Sequence, residues 1–233
     1  MSDPTKIGEG LLQHMSAHFN RIREWQQSED GQQARARWEK QQSEKRRKEH
    51  EEILDLRGVP GDKSIRRWAL TRGPQGELFD AVRETRKWQR AQEADGGKVP
   101  AIRIFSGAPG TGKTSALSWA VGAWTKPAKY ITADAICRIR EEATWDRART
   151  ISLLALDELG IEAHPEKITE LLLARWSEGL LTLCGTNLSM NELIDRYMQA
   201  AGARLFDRLR GQRAAGLRAF ILVAGTSYRG GSL

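Results

Sequence analysis

Short apolar runs alternate with helix-like segments through the C-terminal part of the chain. Each run is rich in Leu, Ile or Val and bounded by turn residues, which is typical of strands buried on both faces of a parallel sheet. The predicted strands are 101–106, 129–132, 151–156, 180–185 and 217–225. Since predicted helices separate these strands, the pattern favours a three-layer α/β domain.

The ends of several helices are marked by residues with terminal preferences. A helical pattern runs from residue 77 to about residue 94. Pro165 can open a helix because the first turn does not use the N–H that proline lacks, and Gly179 can end it. Ser189 and Glu192 have the spacing of a capping box. These signals predict helices after the third and fourth strands.

The N-terminal region carries two different patterns. From Asp3 to about Trp25, apolar residues recur at three- and four-residue spacing, which predicts a short amphipathic helix. Its apolar face either packs on the core of this chain or docks on a partner. From Gln26 to about Glu52 the sequence is strongly charged and predicts a solvated helix or a flexible arm. The basic cluster at 45–48 is interpreted as part of that charged surface, with DNA contact as the alternative.

Turn-forming residues at 58–62, Gly-Val-Pro-Gly-Asp, indicate where the ordered module begins. The residues before this turn lack the apolar content of a core, whereas those after it contain all the predicted strands. We therefore expect a helical, charged arm at 1–56 and an α/β domain at 57–233.

Composition narrows the class of protein. The 233-residue chain is 39% hydrophobic and 29% charged, with a formal net charge of +7, which favours a polyanionic partner. Cys137 and Cys184 are isolated, so neither a disulfide framework nor a zinc site is indicated. The sequence shows no secretory leader and no apolar run near the roughly 18 residues of a membrane span. A cytoplasmic protein without membrane association is predicted.

A glycine-rich motif, Gly-Ala-Pro-Gly-Thr-Gly-Lys-Thr at 107–114, follows a predicted strand and precedes a predicted helix at 115–124. In this context the motif predicts a P-loop, whose backbone N–H groups surround phosphate oxygens at a helix N-terminus. An ordinary surface loop is the alternative. Lys113 is expected to reach the β- and γ-phosphates of ATP, and the Thr114 hydroxyl to ligate Mg²⁺. The predicted nucleotide-binding residues are Gly107, Ala108, Pro109, Gly110, Thr111, Gly112, Lys113, Thr114 and Ser115.

Two further strands end in polar residues suited to nucleotide hydrolysis. An apolar run ends in Asp157 and Glu158, typical of a Walker B element in which the aspartate holds Mg²⁺ through water and the glutamate orients the attacking water. A helix-capping or loop acid is the alternative for Asp157. Asn187 follows the next strand and can bond the attacking water or a γ-phosphate oxygen; otherwise it caps the following turn.

These motifs, read in order with Ala203–Arg210 and Ser227-Tyr228-Arg229, resemble the DnaC/IstB branch of the AAA+ ATPases. The resemblance covers roughly residues 57 to 230. It implies a five-stranded parallel sheet of order 5-1-4-3-2 with little or no C-terminal helical lid, and it implies ATP hydrolysis with Mg²⁺.

The resemblance also assigns two arginines. It implies that Arg208 is a finger on the nucleotide of a neighbouring subunit and that Arg229 is the second sensor. Arg204 and Arg210 compete for the finger role, and a solvated or DNA-contacting helix surface is the alternative for the whole segment. A finger acting between subunits predicts an ATP-dependent homo-oligomer.

Two regions limit the likeness. Residues 133–150 occupy the place of the insertion that contacts single-stranded DNA in initiators and loaders. Trp145 could stack on a base there, beside arginines that could equally lie at a subunit junction: Arg138, Arg140, Arg147 and Arg149. The N-terminal region lacks the Cys/His zinc module of some loaders. By analogy alone, Val59 and Pro60 line the adenine.

The function favoured by these features is a loader that assembles on ATP and delivers a replicative helicase to single-stranded DNA, with the N-terminal helix as the docking element. The alternative is an IstB-like transposition helper that binds duplex DNA and activates a transposase. The charged arm favours the loader. A third hypothesis is a nucleotide-binding interaction protein that does not hydrolyse ATP, and Glu158 argues against it because such a clamp needs no water-orienting acid.

Overall fold

The computed structural model describes residues 24–71, 73–94, 102–197, 202–214 and 216–223. The predicted N-terminal helix, from Asp3 to about Trp25, therefore lies outside the described residues except at its end, from residue 24 onward. The chain divides into two compact units, Met1–Glu49 and His50–Leu233. Most of the charged stretch is helical, as part of α1 (Glu29–Leu56), and Trp38 on this helix is 61% exposed. Of the two predicted alternatives for this stretch, the structure has the solvated helix.

The second unit alternates strands and helices. In chain order its further elements are α2 (Lys63–Leu70), α3 (Glu77–Ala94), β1 (Ile102–Ser106), α4 (Lys113–Gly122), β2 (Ala128–Thr132), α5 (Ala133–Cys137), α6 (Glu142–Thr150), β3 (Leu153–Leu159), α7 (Pro165–Ser177), β4 (Leu181–Thr186), α8 (Met190–Tyr197), α9 (Ala203–Ala214) and β5 (Phe220–Leu222).

The strands form one sheet of order β2-β3-β4-β1-β5, and every pairing is parallel. This confirms the predicted order 5-1-4-3-2 and the predicted fold class. In a parallel sheet the carboxyl ends of all strands meet at one edge, so the segments that follow β1, β3 and β4 lie together.

Alternate residues of the buried strands contribute to separate cores on the two faces of the sheet. On β3, Leu153 and Ala155 belong to one apolar cluster, while Leu154 and Leu156 belong to the other. The first cluster contains side chains of α2, α3 and α4, and the second contains side chains of α5 to α9. The domain therefore has the predicted three layers.

The predicted domain boundary lies between residues 56 and 57. Leu54, which precedes that boundary, is fully buried in the first core.

Two predicted strands have different limits in the structure. The last strand begins at Phe220 instead of residue 217, because Leu217 donates its N–H to the Gln212 carbonyl and completes the end of α9. The third strand begins at Leu153 and reaches Leu159, since Ile151 bonds back to the Arg147 carbonyl of α6 instead of joining the sheet.

The helix ends largely follow the sequence signals. The capping box is confirmed: Ser189 N–H donates to the Glu192 carboxylate at 2.7 Å, and Glu192 N–H donates to Ser189 Oγ at 3.3 Å. Pro165 opens α7, and Gly179 just beyond its end has φ +70°. The helix after the glycine-rich motif begins at Lys113 instead of Ser115. No helix in the described part of the chain has both the length and the apolar character to cross a membrane.

Candidate functional site

The glycine-rich motif forms a tight loop between β1 and α4. Gly110 and Gly112 have φ of +83° and +88°, a region that L-residues with a Cβ rarely adopt. Gly112 is the N-cap of α4 and, lacking a side chain, leaves the first-turn N–H groups without a side-chain acceptor. These N–H groups and the positive end of the helix dipole form a site for an anion.

The Lys113 ammonium lies inside this loop. Its Nζ donates to the carbonyls of Gly107 at 2.7 Å and Ala108 at 2.8 Å, and the residue is 7% exposed. Burial lowers the pKa of Lys113, while the negative charge of Asp157 acts in the opposite direction. A positive charge held by neutral carbonyl groups is well suited to bind a phosphate oxygen.

Asp157 lies at the centre of a hydrogen-bond network at the end of β3. Its Oδ2 accepts from Thr114 Oγ1 at 2.7 Å and from the Tyr130 hydroxyl at 2.6 Å, while its Oδ1 accepts from the Glu158 N–H at 2.9 Å. On the fourth side, a Cβ on Gly185 would lie 2.3 Å from Oδ1. Asp157 is 3% exposed. Its carboxylate is therefore held in place by the three donors and by the Gly185 backbone.

Glu158 differs sharply from its neighbour. It is exposed, and its φ of +57° makes it the single non-glycine residue with positive φ among the described residues. The pairing of β3 with β4 shifts between Leu156 and Leu159, so the backbone bulges at the acid pair. The bulge turns one carboxylate inward and the next outward, and left-handed backbone at a non-glycine residue is common at functional sites.

Asn187 lies at the same edge. It is exposed and directly follows Thr186, which pairs with Ser106 of β1 and with Leu159 of β3. The structure thus brings the end of β4 beside the P-loop and the acid pair, although the role predicted for Asn187 stays a prediction.

The donor set fits Mg²⁺. Thr114 Oγ1 and the Asp157 carboxylate are hard oxygen groups joined by a 2.7 Å hydrogen bond, and Mg²⁺ is commonly held by one or two protein oxygens together with water and substrate phosphates. A hydroxyl has one hydrogen to donate and two lone pairs, so Thr114 can keep its bond to Asp157 while a lone pair ligates the ion.

The candidate finger residues lie on α9. Arg204 and Arg208 are one turn apart on the same side of this helix, whereas Arg210 is on another side. Arg208 is half-buried, with Nη1 3.4 Å from the Leu173 carbonyl oxygen of α7, while Arg204 and Arg210 are exposed. The residue predicted as second sensor, Arg229, lies outside the described residues.

The segment at 133–150 folds as α5 and α6. Two of its arginines pair within the segment, Arg138 with Asp134 at 2.7 Å and Arg149 with Asp146 at 3.5 Å, and all four predicted arginines are exposed. Trp145 is partly buried against the second core, which limits the ring area available for stacking. The DNA contact predicted for this segment stays a prediction.

Val59, predicted by analogy to line the adenine, is 3% exposed and belongs to the first core. Its N–H donates to the Leu54 carbonyl at 3.0 Å. Pro60 beside it is half-buried. The adenine contact of both residues stays a prediction.

Sequence reasoning missed two residues of the Asp157 network. Tyr130 is an aromatic residue in a buried strand, a pattern that indicates only core packing. Gly185 carried a usable signal, because a glycine inside a strand often marks the close approach of another group. Burial and the charge of Asp157 raise the pKa of Tyr130 far above its usual value, so its hydroxyl remains protonated and acts as a donor.

The sheet order, the phosphate loop after β1 and the acid pair at the end of β3 together define the fold of the AAA+ P-loop NTPases. Among solved structures, the chain is similar to DnaI, with a TM-score of 0.50 and 18% identity over 68% of this chain and 94% of that chain. The resemblance predicted from the motifs is therefore confirmed at the level of the fold.

Two further solved structures are similar over comparable parts of the chain. DnaA from Aquifex aeolicus, bound to AMPPCP, has a TM-score of 0.46 and 15% identity over 67% of this chain and 50% of that one. A primosome component from Streptococcus pyogenes serotype M3 has a TM-score of 0.47 and 18% identity over 65% and 80%. A scan of protein-family models and a search of curated proteins gave no match.

Proposed function

We propose that this chain is a Mg²⁺-dependent ATPase of the AAA+ type that works on DNA, and that it loads a replicative helicase onto single-stranded DNA. The observation that carries the ATPase proposal is the Thr114–Asp157 hydrogen bond. It joins the last residue of the P-loop motif to the acid at the end of β3, the arrangement needed to hold a metal ion beside bound phosphates.

Each side chain of the site then has a defined task. Lys113 binds the β- and γ-phosphates through its buried ammonium, and the first turn of α4 supplies N–H donors. Mg²⁺, when bound by Thr114 and through water by Asp157, neutralises negative charge on the phosphates. Glu158 orients and polarises the attacking water from its exposed position, and Asn187 bonds the same water or a γ-phosphate oxygen.

The site is completed by arginines from two sources. Arg208 is proposed as the finger that a neighbouring subunit supplies, with Arg204 and Arg210 as competitors. For Arg229 the support is its distance along the chain: Val223 N–H donates to Ser106 O at 2.7 Å beside the P-loop, and the next six residues can span up to about 20 Å. ATP binding then favours assembly and hydrolysis favours release.

The similarity in fold to DnaI, which covers 94% of that solved chain, supports a role in DNA replication, and the net charge of +7 supports a polyanionic partner such as DNA. The IstB-like transposition helper has the same catalytic motifs and remains the alternative. The N-terminal arm at 1–56 favours the loader, because a partner-docking arm is useful to a protein that delivers another one.

Loss of the Lys113 ammonium should strongly weaken nucleotide binding. Removing one member of a buried charge pair costs about 2–5 kcal/mol, so we expect Lys113→Ala to weaken ATP affinity by about 30-fold or more. Fluorescent ATP titration measures this, with Lys129→Ala as a control outside the loop. Equal affinity in Lys113→Ala and wild type would contradict the phosphate-loop assignment.

The partner is tested with the full chain. Purified hexameric helicase and purified transposase from the same genome are each mixed with the protein in the presence of ATP, ADP or no nucleotide, and complexes are detected by size-exclusion chromatography. ATP-dependent binding to the helicase, with transfer to single-stranded DNA, is expected. Binding to the transposase alone, with a preference for duplex DNA, would establish the alternative.

A finger supplied by a neighbour is tested by mixing two inactive variants. Arg208→Ala subunits keep a complete P-loop, and Lys113→Ala subunits keep the finger. Hydrolysis should partly return when the two are mixed, because some interfaces then contain both groups. Absence of recovery at every ratio would contradict Arg208 as a finger supplied by a neighbour. If mixtures of Lys113→Ala with Arg204→Ala or Arg210→Ala recover hydrolysis instead, the finger role belongs to that arginine.

A further inference from the structure

Tyr130, on the edge strand β2, hydrogen-bonds to Asp157, the residue proposed to hold Mg²⁺ through water. The β2–β3 register pairs Tyr130 with Ala155 and Thr132 with Asp157, so Tyr130 and Asp157 are diagonal neighbours on adjacent strands. A tyrosine side chain is long enough to bridge such a diagonal. Its hydroxyl reaches Asp157 Oδ2 at 2.6 Å, the oxygen that also accepts from Thr114.

The tyrosine is itself held in place from both ends. It is 5% exposed and belongs to the first core, and its N–H donates to the Arg57 carbonyl at 2.7 Å. Arg57 in turn donates from Nη1 to the Trp124 carbonyl at 2.9 Å. A donor fixed by packing and by its backbone can impose its own direction on a carboxylate.

The carboxylate of Asp157 has few remaining degrees of freedom. Two donors occupy Oδ2, the Glu158 N–H occupies Oδ1, and Gly185 lies against Oδ1 without room for a Cβ. An ionised carboxylate offers about four lone-pair positions. With three positions filled from fixed directions, the remaining one points in a defined direction for a water ligand of a metal ion.

From this geometry, and resting on the function proposed above, we propose that Tyr130 is a positioning residue for Mg²⁺. Its hydroxyl orients the Asp157 carboxylate while Thr114 remains available to the ion. Hydrogen-bond partners outside the coordination shell of a metal typically contribute about 10- to 100-fold to its affinity. Tyr130 touches neither phosphate nor metal in this arrangement and acts through Asp157.

The chain contains a matched control for a purely structural role. Tyr197 on α8 is 2% exposed and donates its hydroxyl to the buried Glu162 carboxylate at 2.5 Å. Both tyrosines are buried donors to a carboxylate, and both lose only one oxygen atom on replacement by phenylalanine. If the hydroxyl of Tyr130 served stability alone, the two replacements should have similar consequences.

The test compares Tyr130→Phe and Tyr197→Phe in the full chain, by titrating a fluorescent, non-hydrolysable ATP analogue in EDTA and at a series of Mg²⁺ concentrations. For Tyr130→Phe we expect unchanged affinity in EDTA and a half-saturating Mg²⁺ concentration about 10-fold higher than in wild type. Tyr197→Phe should match wild type in both. Equal Mg²⁺ dependence in Tyr130→Phe and wild type would overturn the proposal.

Action through Asp157 is tested by a double-mutant cycle. In an Asp157→Ala background, Tyr130→Phe should have no further effect on Mg²⁺ dependence, because the tyrosine has lost the group it orients. An undiminished effect in that background would contradict the positioning role.

Three outcomes separate a folding defect, the proposed function and the positioning role. If Tyr130→Phe fails to fold, p-aminophenylalanine at position 130 keeps a donor of similar size; it should retain near wild-type Mg²⁺ dependence, and a 10-fold loss would contradict the proposal. If wild type shows no Mg²⁺-dependent gain in nucleotide affinity, the proposed function fails. If wild type shows the gain and Tyr130→Phe equals it, only the positioning role fails.

Discussion

Charged side chains have opposite surroundings at the two edges of the sheet, one formed by the amino ends of the parallel strands and the other by their carboxyl ends. At the amino edge, Arg175 of α7 is fully buried, and its guanidinium donates to Thr182 Oγ1 at 2.9 Å and to the carbonyls of Ala148, Ile151 and Leu181 at 2.9, 2.8 and 2.6 Å. At the carboxyl edge, Glu158 is exposed on strained backbone. The Arg175 charge is satisfied by groups of its own chain, whereas the Glu158 carboxylate is exposed to solvent.

The comparison shows that the role of a charged residue depends on its surroundings. Burial lowers the pKa of Arg175 to about 9, yet every acceptor near it is a fixed group of the protein, so its role is to join α6, α7 and the start of β4. A group with a catalytic task has to keep at least one direction free for substrate or water. Glu158 meets that condition and Arg175 does not.

The largest effect is expected at Glu158. Glu158→Gln keeps the size of the side chain but cannot accept a proton, so ATP turnover should fall by about 10²- to 10⁴-fold while ATP affinity is retained. Steady-state phosphate release and fluorescent ATP titration measure the two quantities. Glu166→Gln, an exposed glutamate on α7, serves as the control. Rapid ATP turnover in Glu158→Gln would contradict the role of Glu158 in orienting the attacking water.

The next largest effect is expected on stability, when the buried guanidinium at the amino edge is removed. Arg175→Met leaves buried carbonyls without donors and should lower the free energy of unfolding by about 3–5 kcal/mol, measured by urea denaturation. Arg103→Met is the matched control, because Arg103 is 1% exposed but its Nε has no acceptor among the described residues and its partner Glu84 is exposed. We expect less than about 1 kcal/mol for it; equal losses would contradict the distinction.

A smaller effect is expected at Gly185, where a change in the core would also displace a side chain of the candidate site. In Gly185→Ala the new Cβ would lie 2.3 Å from Asp157 Oδ1, so the carboxylate has to move. Overpacking of this kind costs about 1–3 kcal/mol, and Mg²⁺-dependent nucleotide binding should weaken together with stability. Gly211→Ala on α9, where a Cβ meets nothing within 4 Å, is the control. Unchanged Mg²⁺ dependence in Gly185→Ala would show that Asp157 tolerates displacement.

The smallest effect concerns a helix end next to the site. Ser189→Ala removes one half of the capping box of α8 and should cost about 1 kcal/mol of stability, without changing ATP affinity. Thermal unfolding and nucleotide titration separate the two. A large fall in ATP affinity would extend the functional edge of the sheet into α8.

Sequence patterns predicted much of the fold because the deciding interactions are local. The capping box of Ser189 and Glu192, the opening proline of α7 and the glycines of the P-loop each act within a few residues. The strand limits at Leu153 and Phe220 were predicted less well, since each depends on a helix end that competes for the same backbone groups.

The sequence by itself determined the order of strands and helices, the phosphate loop and the position of an acid pair after a buried strand, because hydrophobic period and backbone preference are written into neighbouring residues. Only the tertiary structure decided that Tyr130 and Gly185 enclose the Asp157 carboxylate and that Glu158 points outward. Those contacts join residues on different strands, and a diagonal hydrogen bond or the room for a Cβ depends on register and bulge geometry, which no local pattern encodes.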